Sequence, residues 1–201
     1  MGTAQRRERE REQRRNAIVE AAENIFFSRG FENATMDDIA ETAELSKGTI
    51  YLYFRSKDDL YQEIVFRGLK VLKAKFETAY GAHEKGIDKL WAIGKAYIDF
   101  YKEHPNYFNA LLHYEGQEIE SFYKEDPLKI LVDAVQKGIN DGTLRTDLDP
   151  LKTAVILWGQ TTGVLQISFK KCEAIKDTYK VDPEEIISYY FDLTDLLLRA
   201  P

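Results

Sequence analysis

A short stretch near the start of the chain carries polar side chains at helical spacing. Ile50 and Phe54 are four residues apart, so in a short helix both would turn toward the protein core and leave the polar side chains outside. Ammonium, hydroxyl and phenol groups on an exposed helix can hydrogen-bond to base edges and to phosphate oxygens. Such a surface can enter the major groove of DNA. The polar side chains are Lys47, Thr49, Tyr51 and Tyr53.

Capping residues predict where this helix and the one before it begin. Thr35 and Asp38 have the spacing of a capping box, so we expect a helix to begin directly after Thr35. Ser46 can cap the next helix, which then begins at Lys47, and Leu45 can pack onto it as a hydrophobic staple. Two short helices joined by a tight turn form a helix-turn-helix.

The segment resembles the N-terminal helix-turn-helix of the tetracycline-repressor (TetR) family of bacterial regulators. The resemblance covers residues 1–60 and rests on SKGTIYLYF at 46–54 followed by SKDDL at 56–60. Two positions differ, since Glu44 stands where the family's turn usually has Gly, and Tyr53 where His is common. A left-handed conformation at Glu44 would carry a steric cost that Gly avoids.

The resemblance implies an all-α protein with a three-helix DNA-binding domain at residues 1–56. Residues 57–201 would then form a C-terminal helical bundle for ligand binding and dimerisation. Lys57 would open the next helix, where its ammonium and the free N–H groups can both meet an anion. Carried over by motif position, the groove contacts are Lys47, Gly48, Thr49 and Tyr51, and the phosphate contacts are Thr35, Ser46, Tyr53 and Lys57.

Charge gives a mixed signal for DNA binding. The formal net charge of −6 argues mildly against a nucleic-acid partner, because phosphate binding usually leaves a basic footprint. Residues 6–15, however, hold six Arg against three Glu. This segment is either an arm that follows the DNA backbone or enters a minor groove, or the solvated, frayed start of the first helix.

Apolar residues recur at helical spacing along the whole chain, and no useful length of strand-like alternation appears. Gly30 is expected to end the first helix, and a long helix is expected from the Ser56 cap to Gly81. Pro105 should end a helix at 87–103. Asp-Pro pairs predict three further helix starts, because an acid can cap and Pro fits the first helical position. These helices are expected at 127–141, 150–170 and 183–199.

Aromatic residues are concentrated between Tyr97 and Tyr123. Core packing alone explains such a concentration, but a ligand cavity in a helical bundle also combines aromatic walls with a few polar tips. The family resemblance implies a small-molecule inducer site in this half of the chain. The candidate lining residues are Trp91, Tyr97, Tyr101, Phe108, Trp158, Thr162 and Gln166.

Other function classes lack their sequence signals. The sequence contains no glycine-rich phosphate loop, no Gly-x-Ser-x-Gly and no His-Glu-x-x-His, and its three histidines are too scattered to share a metal, so we expect neither an enzyme nor a cofactor. Cys172, the single cysteine, is either a redox switch or incidental. Without a secretory signal or a membrane-spanning apolar run, the chain is expected to be soluble and cytoplasmic.

One recognition helix reads too few base pairs for specificity, so we expect a homodimer on a pseudo-palindromic double-stranded DNA operator. The resemblance suggests that the helices after Pro150 and Pro183 form the dimer. Gly159 and Gly163 would permit close helix approach there, although a ligand contact or a packing groove explains them as well. We predict a repressor released by a small, largely apolar or aromatic effector; the alternatives are an activator or a ligand-independent DNA-binding protein.

Overall fold

The structure is a computed structural model that describes residues 3–115, 125–170 and 172–201. Within these ranges the chain is helical without strands, and the β pairing found there is an isolated bridge between Leu144 and Arg199. The all-α prediction is confirmed. Phe122 and Tyr123 of the aromatic segment, and the side chain of Cys172, lie outside the described residues.

The described residues form ten helices, numbered here in chain order. None of these helices combines the length and the apolar character needed to cross a membrane. The helices are α1 (Thr3–Arg29), α2 (Met36–Thr42), α3 (Lys47–Tyr51), α4 (Lys57–Gly81), α5 (Gly86–Glu103), α6 (Pro105–Leu112), α7 (Leu128–Asn140), α8 (Pro150–Lys170), α9 (Cys172–Tyr179) and α10 (Pro183–Leu198).

The helix boundaries follow local capping signals. The Asp38 N–H donates to Thr35 Oγ1 at 3.1 Å and the Thr35 N–H donates to Asp38 Oδ2 at 3.0 Å, which is the reciprocal capping box expected before α2. Ser56 Oγ accepts from the Asp59 N–H at 3.1 Å at the start of α4. Gly30, with φ of +79°, follows the end of α1 as a left-handed cap.

Other boundaries differ from the sequence prediction. Pro105 was expected only to end α5, but it also begins α6, since Pro fits the first position of a helix as well as it breaks one. The short helix α9 was not predicted. Asp126 and Pro127 were expected at the N-cap and the first helical position, but α7 begins at Leu128 with Pro127 as its N-cap residue, and Asp126 accepts from the Leu128 N–H at 2.9 Å from one residue further out.

The described chain divides into two compact units. The first contains the residues up to Gly68 together with 106–115, and the second contains 69–105 and 125–201. Helix α4 therefore contributes to both units. The core of the first unit is built from side chains of α1, α2, α3 and α4 that are almost fully buried, among them Ile18, Val19, Ala22, Ile39, Ile50, Phe54, Leu60 and Ile64.

In the second unit, the start of α5 packs directly on α7. A Cβ at Gly86 would lie 2.0 Å from the Gly138 nitrogen, so this close backbone approach requires glycine. The Gly86 N–H donates to Asp141 Oδ2 at 2.8 Å and the Ile87 N–H donates to Thr143 Oγ1 at 3.2 Å. The loop after α7 thus caps α5, whose own N-cap residue supplies no side-chain hydrogen bond.

Candidate nucleic-acid interface and effector pocket

Helix α3 is anchored by one apolar side and exposes the other. Ile50 is fully buried and Phe54 is 2% exposed, because both side chains enter the core of the first unit. Tyr51 is 47% exposed, and Lys47 and Gly48 are exposed as well. The structure therefore brings three of the predicted groove residues to one solvent-facing surface.

The N-cap of α3 brings two predicted contact residues together. Ser46 Oγ accepts from the Thr49 N–H at 3.2 Å and lies 2.8 Å from Thr49 Oγ1. One hydroxyl proton is shared between these two oxygens, so the other O–H can still be donated to an acceptor such as a phosphate oxygen. The cap both fixes the start of α3 and retains a hydrogen-bond donor.

Lys47 is held by an exposed ion pair. Its Nζ lies 2.7 Å from Asp37 Oδ2, and this hydrogen bond raises the pKa of Lys47. Exposed ion pairs contribute little to stability, because water solvates both partners well and salt screens them. Lys47 can therefore exchange Asp37 for an acceptor on DNA at small cost.

Lys57 makes contacts that the sequence did not indicate. Its Nζ donates to the carbonyl oxygens of Phe31 at 2.8 Å and Ala34 at 3.2 Å, and it lies 4.3 Å from the centroid of the Phe31 ring. The ammonium thus ties the start of α4 to the connection between α1 and α2. This structural role competes with the phosphate contact predicted for Lys57.

Thr35 and Tyr53 are also more engaged than expected. The Thr35 hydroxyl donates to Asp38 Oδ2 at 2.5 Å, and this hydrogen bond is the main cause that lowers the pKa of Asp38. Tyr53 is half-buried and packs against the core of the first unit. Helix α3 ends at Tyr51, so the helical spacing that placed Tyr53 on the outer surface does not continue that far.

Glu44 adopts the left-handed conformation for which the sequence analysis expected a steric cost, with φ of +54°. The Leu45 N–H donates to the Ala40 carbonyl at 2.9 Å and the Glu44 N–H to the Glu41 carbonyl at 3.1 Å. These two bonds form a Schellman motif that ends α2, with Glu44 at the position usually held by glycine. The turn therefore forms without glycine but with backbone strain.

Leu52 is a surface residue that the sequence analysis missed. It follows α3 directly and is 79% exposed. Leu52 lies two residues from both inward-facing side chains, Ile50 and Phe54, and this spacing could have predicted that it faces outward. An exposed apolar side chain beside a groove-reading helix can contact the methyl group of thymine.

In the second unit, three candidate pocket residues form one hydrogen-bonded cluster. The Trp158 indole N–H donates to Tyr97 Oη at 3.0 Å, and the Thr162 hydroxyl donates to the Trp158 carbonyl at 2.8 Å. The Tyr97 O–H is therefore the donor across the 2.9 Å contact with Thr162 Oγ1. Burial raises the pKa of Tyr97, which keeps its phenol protonated.

The remaining pocket candidates are not brought together. The Trp91 indole N–H donates to Asp195 Oδ1 at 2.9 Å, toward α10. Tyr101 stacks on Phe169 with ring centroids 5.1 Å apart. Gln166 is half-buried on α8, whereas Phe108 is buried within the first unit.

An open groove of about 850 Å³ runs between α4 and α5 within the second unit. Alanine and valine side chains alternate along it with charged ones, and Trp91 is the candidate pocket residue that lines it. Its other lining residues are Val71, Ala74, Lys75, Thr78, Ala79, His83, Asp88, Ala92, Lys95, Ala96 and Asp99.

Helices α8 and α10 together expose an unusual amount of apolar surface for a single subunit. Gly159 of α8 is exposed and Gly163 is half-buried, and a Cβ at either position would meet nothing within 4 Å. We call this surface the apolar face. Its exposed large side chains are Leu151, Val155, Ile156, Trp158 and Ile167 of α8, and Tyr189, Leu193, Leu196 and Leu197 of α10.

Comparison with known proteins finds a family match over the segment that contains the helix-turn-helix. Residues 18–64 match the family model described as "Bacterial regulatory proteins, tetR family". The chain is 30% identical over 156 residues to the uncharacterized HTH-type transcriptional regulator YhgD of Bacillus subtilis, covering 72% of this chain and 78% of that protein.

Two further relatives carry more specific names. The HTH-type transcriptional repressor KstR2 of Mycolicibacterium smegmatis is 25% identical over 146 residues, which cover 68% of this chain and 70% of that protein. The structure of the fatty acid degradation regulator FadR from Bacillus halodurans superposes with a TM-score of 0.70 at 18% identity, covering 90% of this chain and 94% of that chain. The latter similarity concerns the fold.

Proposed function

Because this chain belongs to the tetR family of bacterial transcriptional regulators, we propose that it is a homodimeric repressor that a small molecule releases from its operator. The observation that carries the DNA-reading part is the outward surface of α3, with Lys47, Gly48 and Tyr51 exposed over a buried Ile50. The relatives that it matches are transcriptional regulators, not enzymes. A regulator of this kind acts where DNA is accessible, so the cytoplasm is its proposed location.

We assign the base contacts to Lys47, Gly48, Thr49 and Tyr51. Gly48 supports this role, since a Cβ there would meet nothing in the protein nearer than Ser46 Oγ at 3.9 Å. Packing does not require a glycine at this position, whereas close approach of the α3 backbone to DNA would. Ser46, Thr35, Tyr53 and Lys57 are the proposed phosphate contacts, and the last two must leave or share their present protein contacts to act.

The apolar face supports the proposed dimer. Exposed contiguous apolar surface of this kind marks an interaction site. The open space beside Gly159 and Gly163 would let the α8 helices of two subunits approach closely. A second copy of the chain covers the face with identical residues, as a two-fold axis requires. The same axis would place two α3 helices on the two halves of a pseudo-palindrome.

We place the effector in the second unit, near Trp91, Tyr97, Tyr101, Trp158, Thr162 and Gln166. The hydroxyl and indole groups of the Tyr97 cluster already hydrogen-bond to one another, so these side chains offer a ligand mainly aromatic surface. This favours a largely apolar or aromatic effector. The names of two relatives, a repressor and a regulator of fatty acid degradation, support both repression and an apolar metabolite.

An effector screen tests this function. Operator DNA is first selected from a random pool, and apolar and aromatic metabolites are then ranked by thermal shift. A compound that binds only the DNA-free state, at 100 times its dissociation constant, shifts the equilibrium by about 2.7 kcal/mol, roughly a hundredfold in operator affinity. We expect hits to release labelled operator and to restore transcription from a promoter that overlaps it. Stabilising compounds that leave operator affinity unchanged would contradict the regulatory role.

A further inference from the structure

Most cations near α3 already have partners in the protein. Residues 16–60 hold four Lys or Arg against nine Asp or Glu. Lys47 and Arg29 each pair with an aspartate, at 2.7 and 2.6 Å, and Lys57 donates to backbone carbonyls. A protein that binds DNA must still neutralise several phosphates. Positive charge that is not already paired in the protein would add to what Lys47 and Lys57 can supply for this task.

The first half of α1 carries such charge on one side. Arg7, Arg11 and Arg14 follow each other at intervals of four and three residues, and Ile18 continues the same series as a fully buried core residue. The three arginines are exposed, and none has an ion-pair partner among the residues that the structure describes. We call these three residues the arginine strip.

The arginine strip is unfavourable for an isolated helix. Like charges three and four residues apart repel each other, and cations near a helix N-terminus oppose the helix dipole. No acidic residue in the first turn of α1 offsets this effect. Glu10, which lies three residues from Arg7 and four from Arg14, pairs with Arg6 at 2.8 Å. A polyanion alongside would neutralise the repulsion between the arginines, and it would interact favourably with the N-terminal end of the helix dipole.

Arg15 fixes the position of the strip relative to α3. Its Nη2 lies 2.6 Å from Glu63 Oε2, and its guanidinium carbon lies 5.0 Å from the centroid of the Phe54 ring. Phe54 belongs to the segment that follows α3 directly and comes two residues after the exposed Leu52. The last residue of the arginine strip, Arg14, is therefore the sequence neighbour of a residue that contacts the segment following the recognition helix, within the same compact unit.

We propose that the arginine strip binds phosphates of the DNA duplex whose major groove α3 reads. This proposal rests on the DNA-binding part of the proposed function. The strip is about 10 Å long at 1.5 Å per residue, enough to face roughly three phosphates of one strand, which follow each other about every 3.4 Å along the duplex axis. Guanidinium forks match phosphate oxygens well. Such contacts add affinity for any sequence and strong salt dependence, without base specificity.

Two neighbouring arginines provide a matched test. Within the described part of the chain Arg9, like Arg11, is exposed and has no ion-pair partner, but it lies two residues away and therefore on the opposite side of α1. We compare Arg11→Gln with Arg9→Gln by titrating the selected operator and a random duplex from about 50 to 200 mM salt. Arg11→Gln should reduce the salt slope by about 0.9 and weaken both duplexes about fivefold near 0.15 M salt. Arg9→Gln should change neither quantity.

The triple variant Arg7→Gln, Arg11→Gln, Arg14→Gln should lower the slope about three times as much, with helicity by circular dichroism unchanged. Strip variants that bind both duplexes as tightly as Arg9→Gln, with the same slope, would overturn the proposal. If wild-type binding depends on the strip but shows no preference for the selected operator, the phosphate-binding role of the strip stands and the proposed repressor function is contradicted. If the wild-type protein binds no duplex, both proposals are contradicted.

Discussion

At the scale of single residues, the structure leaves Lys57 with two possible roles. Lys57→Ala removes the hydrogen bonds to the Phe31 and Ala34 carbonyls as well as any phosphate contact. We expect it to weaken binding to all DNA sequences alike and to reduce the salt slope by about one unit. Thermal melting measures the structural role separately.

Lys57→Met is the control, because it keeps an apolar stem beside the Phe31 ring but, like Lys57→Ala, loses the ammonium with its charge and its hydrogen bonds. A lowered melting temperature with an unchanged salt slope in both variants would show that Lys57 is a structural residue. A loss confined to one base pair would instead place it in the groove.

Glu44 carries strain that a single substitution can relieve. Its φ of +54° costs a residue with a Cβ roughly 1 kcal/mol, which glycine avoids. Glu44→Gly should therefore raise the free energy of unfolding of the first unit by about that amount. Glu44→Ala serves as control, since it removes the carboxylate but keeps the strain. Equal stability of the two variants in chemical denaturation would refute the strain.

The carboxylate of Glu44 has a separate effect on binding. Removing a negative charge from the turn before α3 should strengthen DNA binding, and both variants remove it. Tighter binding by Glu44→Gly alone would point to the turn conformation and not to its charge.

At the scale of helices, the apolar face predicts the dimer. Leu193→Glu combined with Leu197→Glu places two charges in the proposed interface, where an unpaired buried charge costs several kcal/mol. Both side chains are exposed in the single subunit, so the fold should survive. We expect a helical monomer by sizing and circular dichroism. Leu52→Glu is the control, because Leu52 is an exposed leucine of the other unit and its substitution should leave the dimer intact.

Gly163→Leu tests the same interface without adding charge. A Cβ at this position meets nothing within 4 Å in the subunit, and leucine favours a helix more than glycine does, so the monomer should be at least as stable. Dissociation of this variant would support close packing of α8 across the two-fold axis. A helical variant that still sized as a dimer would move the interface elsewhere.

The sequence predicted those elements whose signals are local. Thr35 with Asp38, and Gly30 after α1, act within a few residues and were read directly from their spacing. The cap of α5 could not be found this way, because Asp141 and Thr143 belong to a loop more than fifty residues further along the chain.

The candidate DNA contacts also divide into those that local spacing predicts and those that depend on distant residues. The exposure of Lys47 and Tyr51 follows from the short helical period around Ile50, so the sequence was sufficient. Lys57 depends on partners in the connection between α1 and α2, and Tyr53 on packing against the core, which no spacing within the motif reveals. The seven pocket candidates were chosen by residue type, and type alone could not show that Phe108 belongs to the first unit.

For the molecule as a whole, α4 contributes residues to both units, so in the proposed effector response it would carry the signal from effector to DNA. Its first half is tied to α1 by Arg67, whose Nη2 donates to Asn16 Oδ1 at 2.9 Å. The Tyr107 hydroxyl of α6 donates to Glu23 Oε1 of α1 at 2.8 Å. Burial is the main cause that raises the pKa of Tyr107 to about 12, so its phenol stays protonated and can keep donating. A shift of α4 would therefore carry α1 with it and change the separation of the two recognition helices.

If α3 reads the DNA sequence, Tyr51→Ala should abolish sequence-specific binding. Tyr51 is 47% exposed, so its removal should leave the fold and the dimer unchanged. The measurement is the affinity of wild type and variant for the operator that the wild type selects from a random pool, beside a random duplex. We predict that Tyr51→Ala loses the preference for the operator and keeps its binding to the random duplex. Operator binding by the variant equal to that of the wild type would contradict the assignment of α3 as the recognition helix.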